Sequence, residues 1–284
     1  MSLSSWNQGP ARSAIEDFFA RIDDVPPAER IAVVDNDGTL WCEKPEYAQL
    51  LFLLAEAAKQ PDIAAALGAA KEHGLAAVGA VLMKVHAGIT VDEFTAIATR
   101  WFAEARHPRF GVPFDALAYV PMLELLEMLR AHEFRVFIVS GGGVEFVRAV
   151  SERMYGVTPD DVVGSAVQTT FERRDGRVVL VREPKLLGSP NEGPPKVVNI
   201  QAHIGMRPIV ALGNSAGDRE MLEYAHTGDR PSLCVVIDHD DAEREYAYGG
   251  EAVTDPDAEP ILDTATREGW TVVSMRDDWA RVFP

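Results

Sequence analysis

Two aspartates, two residues apart, form the strongest chemical signal in this sequence. Asp35 and Asp37 lie in the run Asp-Asn-Asp-Gly-Thr, directly after the apolar residues 31–34. Four apolar residues in a row are typical of a buried strand in a parallel sheet. In open α/β sheets, ligands bind beyond the carboxyl ends of the strands. Paired carboxylates at that position can supply a nucleophile and, beside it, a general acid or base.

Two other interpretations of the aspartates stay open at this level. Asp and Gly are common in helix caps and turns that have no chemical role. A calcium loop is the second alternative, because Asp35, Asp37 and Glu46 fall at loop positions 1, 3 and 12. That loop needs glycine at position 6, where this sequence has Leu40.

A second apolar run, residues 137–139, ends in Ser140 and a glycine-rich turn. Such a turn before a helix can present a hydroxyl and free backbone N–H groups to a phosphate. The same residues also suit a tight strand-to-helix turn without a ligand. A dinucleotide site is excluded, because Gly141 and Gly143 fit its fingerprint but Phe146 replaces the last glycine.

The elements that must position these residues alternate along the chain. Apolar runs predict buried strands at residues 31–34, 135–139, 162–163, 208–212, 233–237 and 271–274. Helical patterns lie before and between them, at residues 13–22, 122–131, 144–154, 196–204 and 217–225. Strands that alternate with helices indicate an α/β fold with a doubly wound parallel sheet.

Residues 41–120 interrupt this alternation. The segment is rich in alanine and predicts helices without a convincing strand, at residues 47–59, 63–72, 76–86 and 91–105. Proline and glycine residues separate these helices. We therefore predict two domains: an α/β core domain of residues 1–40 and 121–284, and a small helical domain of residues 41–120.

The run DNDGTL resembles the first motif, DxDGT, of the haloacid dehalogenase-like superfamily of hydrolases. In that family the first aspartate is the nucleophile and the second is the general acid/base. The resemblance therefore implies these roles for Asp35 and Asp37. The true dehalogenases lack the second aspartate, so its presence in this sequence points to phosphatase chemistry.

The second and third motifs of the family are also matched. Ser140 corresponds to a strand-terminal Ser or Thr, and Ser-Gly-Gly resembles the phosphoserine phosphatase branch, which implies that Ser140 and Gly141 bind phosphate. The third motif is a lysine, for which Lys185 and Lys196 are candidates. We favour Lys196, because its place before Asn214 resembles the phosphoserine phosphatase arrangement. Either lysine is otherwise a solvated surface residue.

The fourth motif of the family, GDxxxD, is an acidic loop that binds Mg²⁺. Here Asn214 replaces the first aspartate and Asp218 holds the second position. An asparagine carbonyl is a neutral ligand that Mg²⁺ accepts. The resemblance thus implies Mg²⁺ as the cofactor, with Asp35, Asp37, Asn214 and Asp218 as metal residues. It leaves open whether Asp218 binds directly or supports the ligands.

Other parts of the chain resemble the phosphoserine phosphatase-like members. The helical segment lies where these members have a cap, and residues 166–171 and 177–182 predict a hairpin that they also contain. Glu43 lies one position away from a glutamate that binds the substrate's amino group there, so Glu43 is a candidate substrate contact.

Two charged clusters have a simpler expected explanation. Arg100, Arg106, His107 and Arg109 form a basic cluster in an acidic chain, which we expect to be a solvated surface. Residues 238–241, Asp-His-Asp-Asp, look like a metal cluster, but we expect a solvated loop there.

These motifs together predict a Mg²⁺-dependent phosphomonoester hydrolase that forms an aspartyl-phosphate on Asp35. Asp37 would protonate the leaving group and then activate water, while Ser140 and Lys196 would hold the phosphoryl oxygens. One alternative is a phosphotransferase of the same family. Another is a non-catalytic phosphate- or metabolite-binding protein on the same fold, which both aspartates disfavour and Asn214 leaves open.

Composition limits the partners. Of 284 residues, 44 are acidic and 27 are basic, so the formal net charge is −17. Such a surface repels nucleic acid and anionic membranes, and charges and Pro61 interrupt the most apolar stretch, residues 47–70. We expect a small phosphorylated metabolite as substrate and neither nucleic acid nor membrane as partner, and we predict no oligomeric state.

The two cysteines, Cys42 and Cys234, are too few and too far apart for a disulfide framework or a zinc site. They fit a reducing compartment. The first 19 residues contain early charges and no apolar run of secretory length. We therefore expect a cytoplasmic protein.

Overall fold

The computed structural model describes residues 3–226 and 230–284. Its helices are α1 (Pro10–Phe19), α2 (Ala48–Ala57), α3 (Pro61–Ala70), α4 (Leu75–Leu82), α5 (Val91–Glu104), α6 (Val120–Ala131), α7 (Val144–Tyr155), α8 (Pro194–His203), α9 (Arg219–Ala225), α10 (Ile261–Glu268) and α11 (Met275–Asp278). Its strands are β1 (Ile31–Val34), β2 (Arg135–Gly143), β3 (Val162–Ser165), β4 (Val167–Arg174), β5 (Arg177–Leu186), β6 (Val210–Gly213), β7 (Leu233–Asp240), β8 (Ala247–Tyr248) and β9 (Thr271–Ser274).

β1 lies at the centre of the main sheet, between β2 and β6. The strands run parallel in the order β3-β2-β1-β6-β7, and β7 also pairs with β9 in parallel and with the short β8 in antiparallel fashion. Because these strands are parallel, the carboxyl ends of β1, β2 and β6 meet at one edge of the sheet. The polar residues that follow them are thereby brought together.

The side chains of β1 alternate between two hydrophobic cores. Ala32 and Val34 belong to a core that includes residues of α1 and α6, whereas Ile31 and Val33 belong to a core that includes residues of α8 and α9. All four side chains are fully buried, as expected for a strand covered by helices on both faces. The predicted α/β fold with a doubly wound parallel sheet is confirmed.

Two predicted boundaries differ from the structure. α1 begins at Pro10 instead of Ser13, because proline is tolerated in the first turn of a helix. β2 continues to Gly143 instead of ending at Val139, with a register shift against β3 between these residues. Ser140 therefore lies inside an irregular strand end and not in a separate turn.

The expectation of a solvated loop at residues 238–241 is wrong. β7 runs through Asp240, and the His239 side chain is buried. The apolar run at residues 233–237 of β7 ends in polar residue types, and the burial of these polar residues depends on what packs against them. The basic cluster is partly different from expectation too: Arg106 and Arg109 are exposed, but His107 is buried.

Residues 41–120, which we call the helical insertion, contain α2 to α5 as predicted. Aromatic side chains hold it together: Phe52, Phe94 and Phe102 lie in one buried cluster with Phe146 of α7. The hairpin of β4 and β5 also contacts the helical insertion, since the backbone N–H of Gly88 donates to the Arg182 carbonyl at 2.8 Å. The helical insertion thus packs against α7 and against the hairpin.

Cys42 and Cys234 are both free and buried. In the part of the chain that the structure describes, no helix combines the length and apolar character needed to cross a lipid bilayer.

Candidate active site

Asp35 is the first residue beyond β1, at the edge where the parallel strands end. Its backbone N–H donates to the Leu212 carbonyl at 2.9 Å, which ties it to β6. Its side chain is largely buried and lines a cavity of about 370 Å³. The position predicted for the nucleophile therefore faces a space that can hold a ligand.

Lys196 is the cation of this site. It lies in the first turn of α8, its side chain is 2% exposed, and its Nζ is 2.6 Å from Asp35 Oδ1 and 2.5 Å from Asp218 Oδ1. Burial alone would lower the pKa of Lys196, but the two carboxylates raise it above its ordinary value. Lys196 is therefore a permanent positive charge. Lys185, the other candidate, is exposed on β5.

Asp218 uses both of its carboxylate oxygens. Oδ1 accepts from Lys196, and Oδ2 accepts from the backbone N–H groups of Asn214 and Ser215, each at 3.0 Å. The Ser215 hydroxyl lies 3.3 Å from the same oxygen. This arrangement holds both Lys196 and the loop after β6 in place.

Asp37 lies opposite Gly142 in the same cavity. The Trp41 indole N–H donates to Asp37 Oδ1 at 2.9 Å. A Cβ atom at Gly142 would lie 3.5 Å from Asp37 Oδ2 and 3.2 Å from the Ser140 hydroxyl oxygen, so the glycine lets these groups approach each other. One oxygen of Asp37 is thus fixed while the other stays close to Ser140 and the cavity.

Burial dominates the titration of both aspartates. It raises the pKa of Asp35 well above its ordinary value; Asp218 adds to this rise, and Lys196 opposes it. Burial likewise raises the pKa of Asp37, opposed by the hydrogen bond from Trp41. The site therefore favours a cation beside Asp35 and allows Asp37 to carry a proton at higher pH than an exposed aspartate does.

Ser140 is fully buried and does not line the cavity, whereas Gly141 and Gly142 do. The Ser140 hydroxyl oxygen accepts from the Gly142 N–H at 3.0 Å, and a hydrogen bond from Ser140 opposes the rise in the pKa of Asp37. The Asn191 amide holds the Ser140 carbonyl at 2.9 Å. Asn191 is a contact that the sequence alone did not reveal.

Asn214 packs against the loop of the two aspartates. Its Oδ1 accepts from the Thr39 hydroxyl at 3.0 Å, which leaves a second lone pair. Gly38 has φ of 72°, and a Cβ there would lie 2.2 Å from Asn214 Nδ2. Only glycine therefore lets this loop approach Asn214 so closely.

The residues predicted to hold a metal, Asp35, Asp37 and Asn214, all line the cavity, and each carries an oxygen donor. Within residues 3–226 and 230–284, no three His, Cys, Asp or Glu side chains come together as a metal-binding group. No protein donor among these residues occupies the Asp37 carbonyl. A few oxygen donors with room for water suit Mg²⁺, which retains several of its waters, so the residues fit that ion.

Behind the aspartates lies a buried network that sequence reasoning missed. His239 Nε2 is 2.8 Å from the Gly38 carbonyl oxygen and 3.1 Å from the Tyr248 hydroxyl. Glu245, fully buried, lies 3.5 Å from His239 Nδ1 and accepts from the Tyr119 hydroxyl at 3.1 Å. His239 thus supports the backbone beside Asp37, and the Asp-His-Asp-Asp run gave no sign of this contact.

Glu43 is buried at the edge of the cavity, with Lys44 Nζ 3.5 Å from its carboxylate. Burial raises the pKa of Glu43, and Lys44 opposes the rise.

From the helical insertion, the Gln49 amide oxygen accepts from the Gly143 N–H at 2.7 Å. The helical insertion is therefore in direct contact with the end of β2.

Several known proteins are similar to this chain. A family model described as haloacid dehalogenase-like hydrolase matches residues 32–223. A conserved functionally unknown protein from Anaerococcus prevotii DSM 20548 is similar in structure, with a TM-score of 0.60 and 15% identity, over 96% of this chain and 94% of that one. No curated protein matches the sequence.

Two further solved structures are similar at low identity. A protein with unknown function from Bordetella pertussis Tohama I has a TM-score of 0.52 and 17% identity, over 86% of this chain and 98% of that one. A phosphoserine phosphohydrolase-like protein from Francisella tularensis subsp. tularensis SCHU S4 has a TM-score of 0.42 and 16% identity, over 84% and 99%. The structures from Anaerococcus prevotii and Bordetella pertussis share the overall fold of this chain. The structure from Francisella tularensis is too distant to carry an argument.

Proposed function

Because this chain belongs to the haloacid dehalogenase-like hydrolases, we propose that it is a Mg²⁺-dependent phosphatase. Its substrate would be a small phosphorylated metabolite, and an aspartyl-phosphate would be the intermediate. The observation that carries the proposal is that Asp35 and Lys196, ion-paired with each other, line one cavity together with Asp37, while Asp218 holds Lys196 from behind. A buried nucleophile, a fixed cation and a neighbouring acid are the groups that phosphoryl transfer through a covalent intermediate needs.

Asp35 is the proposed nucleophile. Lys196 holds its Oδ1, and no hydrogen-bond donor among the described residues engages its Oδ2. Oδ2 attacks phosphorus as the bond from phosphorus to the leaving oxygen breaks. Lys196 favours the ionised carboxylate, since it opposes the rise that burial causes in the pKa of Asp35.

Asp37 is the proposed general acid and base. Its raised pKa lets it carry a proton, which it donates to the leaving alkoxide. It then accepts a proton from the water that attacks the phosphoryl group on Asp35. The indole of Trp41 fixes one oxygen of Asp37, so the carboxyl group keeps its direction through both steps.

The phosphoryl oxygens need positive charge and hydrogen-bond donors. Ser140 supplies a hydroxyl beside Asp37, and Lys196 is the buried cation nearest to Asp35. Two carboxylates already balance Lys196, so further positive charge is needed. Mg²⁺, when held by Asp35, the Asp37 carbonyl and Asn214, supplies that charge and offsets the repulsion between the phosphoryl group and the aspartates.

We also propose that residues 1–40 and 121–284 form the core domain and that the helical insertion is its cap. Support comes from Gln49, Leu50 and Leu53 of α2, which line the cavity together with the core aspartates. A cap in this place excludes water during the transfer and contacts the leaving group.

Asp218, with both oxygens engaged, supports Lys196 and the loop in this scheme and does not bind the metal.

The test compares two isosteric variants, Asp35→Asn and Asp37→Asn, with 4-nitrophenyl phosphate as substrate. Asp35→Asn loses all turnover, because an amide oxygen is too weak a nucleophile. Asp37→Asn loses about 10²–10⁴-fold, the usual contribution of general acid–base catalysis. An activated leaving group needs little protonation, so the second step becomes limiting and phospho-Asp35 accumulates.

Intact-protein mass spectrometry after a rapid acid quench measures the intermediate. One phosphoryl adduct is expected on Asp37→Asn and none on Asp35→Asn. Full turnover by Asp35→Asn, or an adduct on a different residue, contradicts the mechanism. Product analysis with added acceptor alcohols separates hydrolysis from phosphotransfer, and binding of phosphate without any turnover identifies a non-catalytic protein.

A further inference from the structure

The cavity beside Asp35 is larger than a phosphoryl group requires. Its volume of about 370 Å³ lies within the range of small-molecule pockets. Besides the aspartates, its lining includes α2 of the helical insertion and residues 249–251, 253 and 254 of the core, and we call the space between these two segments the extension. The side chains along that extension face the leaving group of a bound phosphate ester.

The wall on the insertion side is apolar. Leu50 and Leu53 lie one helical turn apart on α2, so they present one face to the cavity, and both are only half-buried. Val253 lies on the core side and is 66% exposed. Large aliphatic side chains that remain partly exposed in a cleft favour an apolar ligand group.

The charged groups that line the cavity are mainly acidic. They include Glu43, Glu192 and Glu251, in addition to Asp35 and Asp37. Glu192 accepts from the backbone N–H groups of residues 253 and 254, at 2.7 and 3.1 Å, which fixes its negative charge beside the opening.

Both cations that line the cavity already have partners. Lys196 is held by two carboxylates. Lys44 Nζ lies 3.5 Å from the Glu43 carboxylate and 4.4 Å from the centre of the Tyr248 ring. Among the described residues, no arginine lines the cavity. A carboxylate on the leaving group would therefore find repulsion and no available cation.

We propose that the substrate is a phosphomonoester whose leaving alcohol has an apolar portion and no negative charge. The apolar portion lies against Leu50, Leu53 and Val253, and a positive charge on the alcohol is accepted beside Glu192 and Glu251. Phosphorylated hydroxy acids and amino acids, whose leaving groups carry a carboxylate, are poor substrates. This inference rests on the proposed phosphatase activity and specifies the substrate class of the same site.

The test uses three aryl phosphates whose rings are alike and whose leaving phenols are of similar acidity. They are phenyl phosphate, 4-carboxyphenyl phosphate and 4-(aminomethyl)phenyl phosphate, assayed with Mg²⁺ by release of inorganic phosphate. The kcat/KM of the carboxylate ester should be lower than that of the other two by at least about tenfold, as expected when a cleft repels one charge and attracts the other. A carboxylate ester hydrolysed as well as phenyl phosphate overturns the inference.

Variants test which residues make the kcat/KM of the carboxylate ester lower than that of phenyl phosphate. We call the ratio of these two kcat/KM values the gap. Leu53→Arg places a cation in the extension and should narrow the gap by about tenfold. Val178→Arg adds the same charge on the exposed hairpin, outside the cavity, and should leave the gap unchanged. Glu251→Gln removes a negative charge at an exposed loop residue and should narrow the gap by a smaller factor. This variant keeps the inference testable if Leu53→Arg fails to fold.

The outcomes separate the two proposals. If the gap exists but neither Leu53→Arg nor Glu251→Gln narrows it, the cavity charges are not its cause and the inference is wrong. If Val178→Arg narrows it equally, net charge and not the cavity is responsible. If none of the three esters releases phosphate, the phosphatase proposal itself fails, and the substrate class fails with it.

Discussion

Two buried polar groups, Asp218 in the core and His86 in the helical insertion, are treated in opposite ways by this protein. Both carboxylate oxygens of Asp218 accept hydrogen bonds, from Lys196 and from the backbone after β6. Neither ring nitrogen of His86 has a hydrogen-bond partner among the described residues, although the side chain is 5% exposed. Asp218 is fixed through directed bonds, whereas His86 is packed as an aromatic ring.

Aromatic contacts replace hydrogen bonds around His86. Its ring stacks on Phe52 at 5.0 Å between centroids and meets Phe94 edge-on at the same distance. Burial, with a smaller contribution from Arg182, lowers the pKa of His86 to about 4. The comparison teaches that the charged groups at the sheet edge are held in position by directed bonds. Around His86, the helical insertion relies instead on shape and apolar surface.

The largest expected effect comes from removing the cation of the core. Lys196→Met leaves Asp35 and Asp218 buried and unpaired, and breaking a buried pair in this way typically lowers the free energy of unfolding by about 3–5 kcal/mol. Turnover should be lost as well. Urea unfolding in the presence of EDTA measures the stability change without a contribution from bound metal.

Lys185→Met is the matched control for that experiment. Lys185 is exposed on β5, so its replacement should change the unfolding free energy by no more than about 0.5 kcal/mol and should leave turnover unchanged. Equal effects of the two substitutions would show that the Lys196 ion pairs do not hold the site together.

An intermediate effect is expected at His86 and appears only in acid. The pKa of His86 is about 4 in the folded protein and 6.5 in its ordinary state, so the unfolded chain takes up a proton first as the pH falls. The contribution of neutral His86 to the free energy of unfolding is therefore fully present above pH 6.5, and it is lost as the pH falls from 6.5 to 4. At about 1.4 kcal/mol per pKa unit, the loss is at most about 3.5 kcal/mol.

His86→Phe keeps a ring between Phe52 and Phe94 and removes the proton. The unfolding free energy of this variant should fall less steeply than that of the original protein between pH 6.5 and 4, as measured by urea unfolding at a series of pH values. His73→Phe, at an exposed position of the helical insertion, is the control and should keep the original slope. Parallel curves for all three proteins would contradict the role assigned to His86.

The smallest expected effect concerns Asn214. Asn214→Asp adds a negative charge beside the Asp37 backbone and should keep the enzyme active, with the Mg²⁺ concentration for half-maximal turnover shifted by less than about tenfold. Excess EDTA should abolish turnover in both forms. If Asn214→Ala and Asn214→Asp both leave the Mg²⁺ dependence unchanged, Asn214 is not a ligand; undiminished turnover in EDTA removes the metal from the proposal altogether.

The sequence by itself determined the local elements and the order of the motifs. Residues 31–34 are all apolar because β1 supplies side chains to cores on both faces, so the strand was evident from composition alone. The helical spacing of apolar residues predicted the helices of the helical insertion. It also put Lys196 in the first turn of α8. A polar residue at the end of such a strand therefore predicts a site at that point.

Only the tertiary structure decided which of these residues meet. Lys196 contacts Asp35, 161 positions away in sequence, and His239 contacts Gly38 across 201 positions. The spacing of residues within a strand or helix reports only neighbours a few positions apart, whereas these contacts depend on β1 lying between β2 and β6 and on β8 covering the end of β7. For the same reason the burial of His239, and the contact of Lys196 with Asp35, followed from packing and not from the sequence pattern.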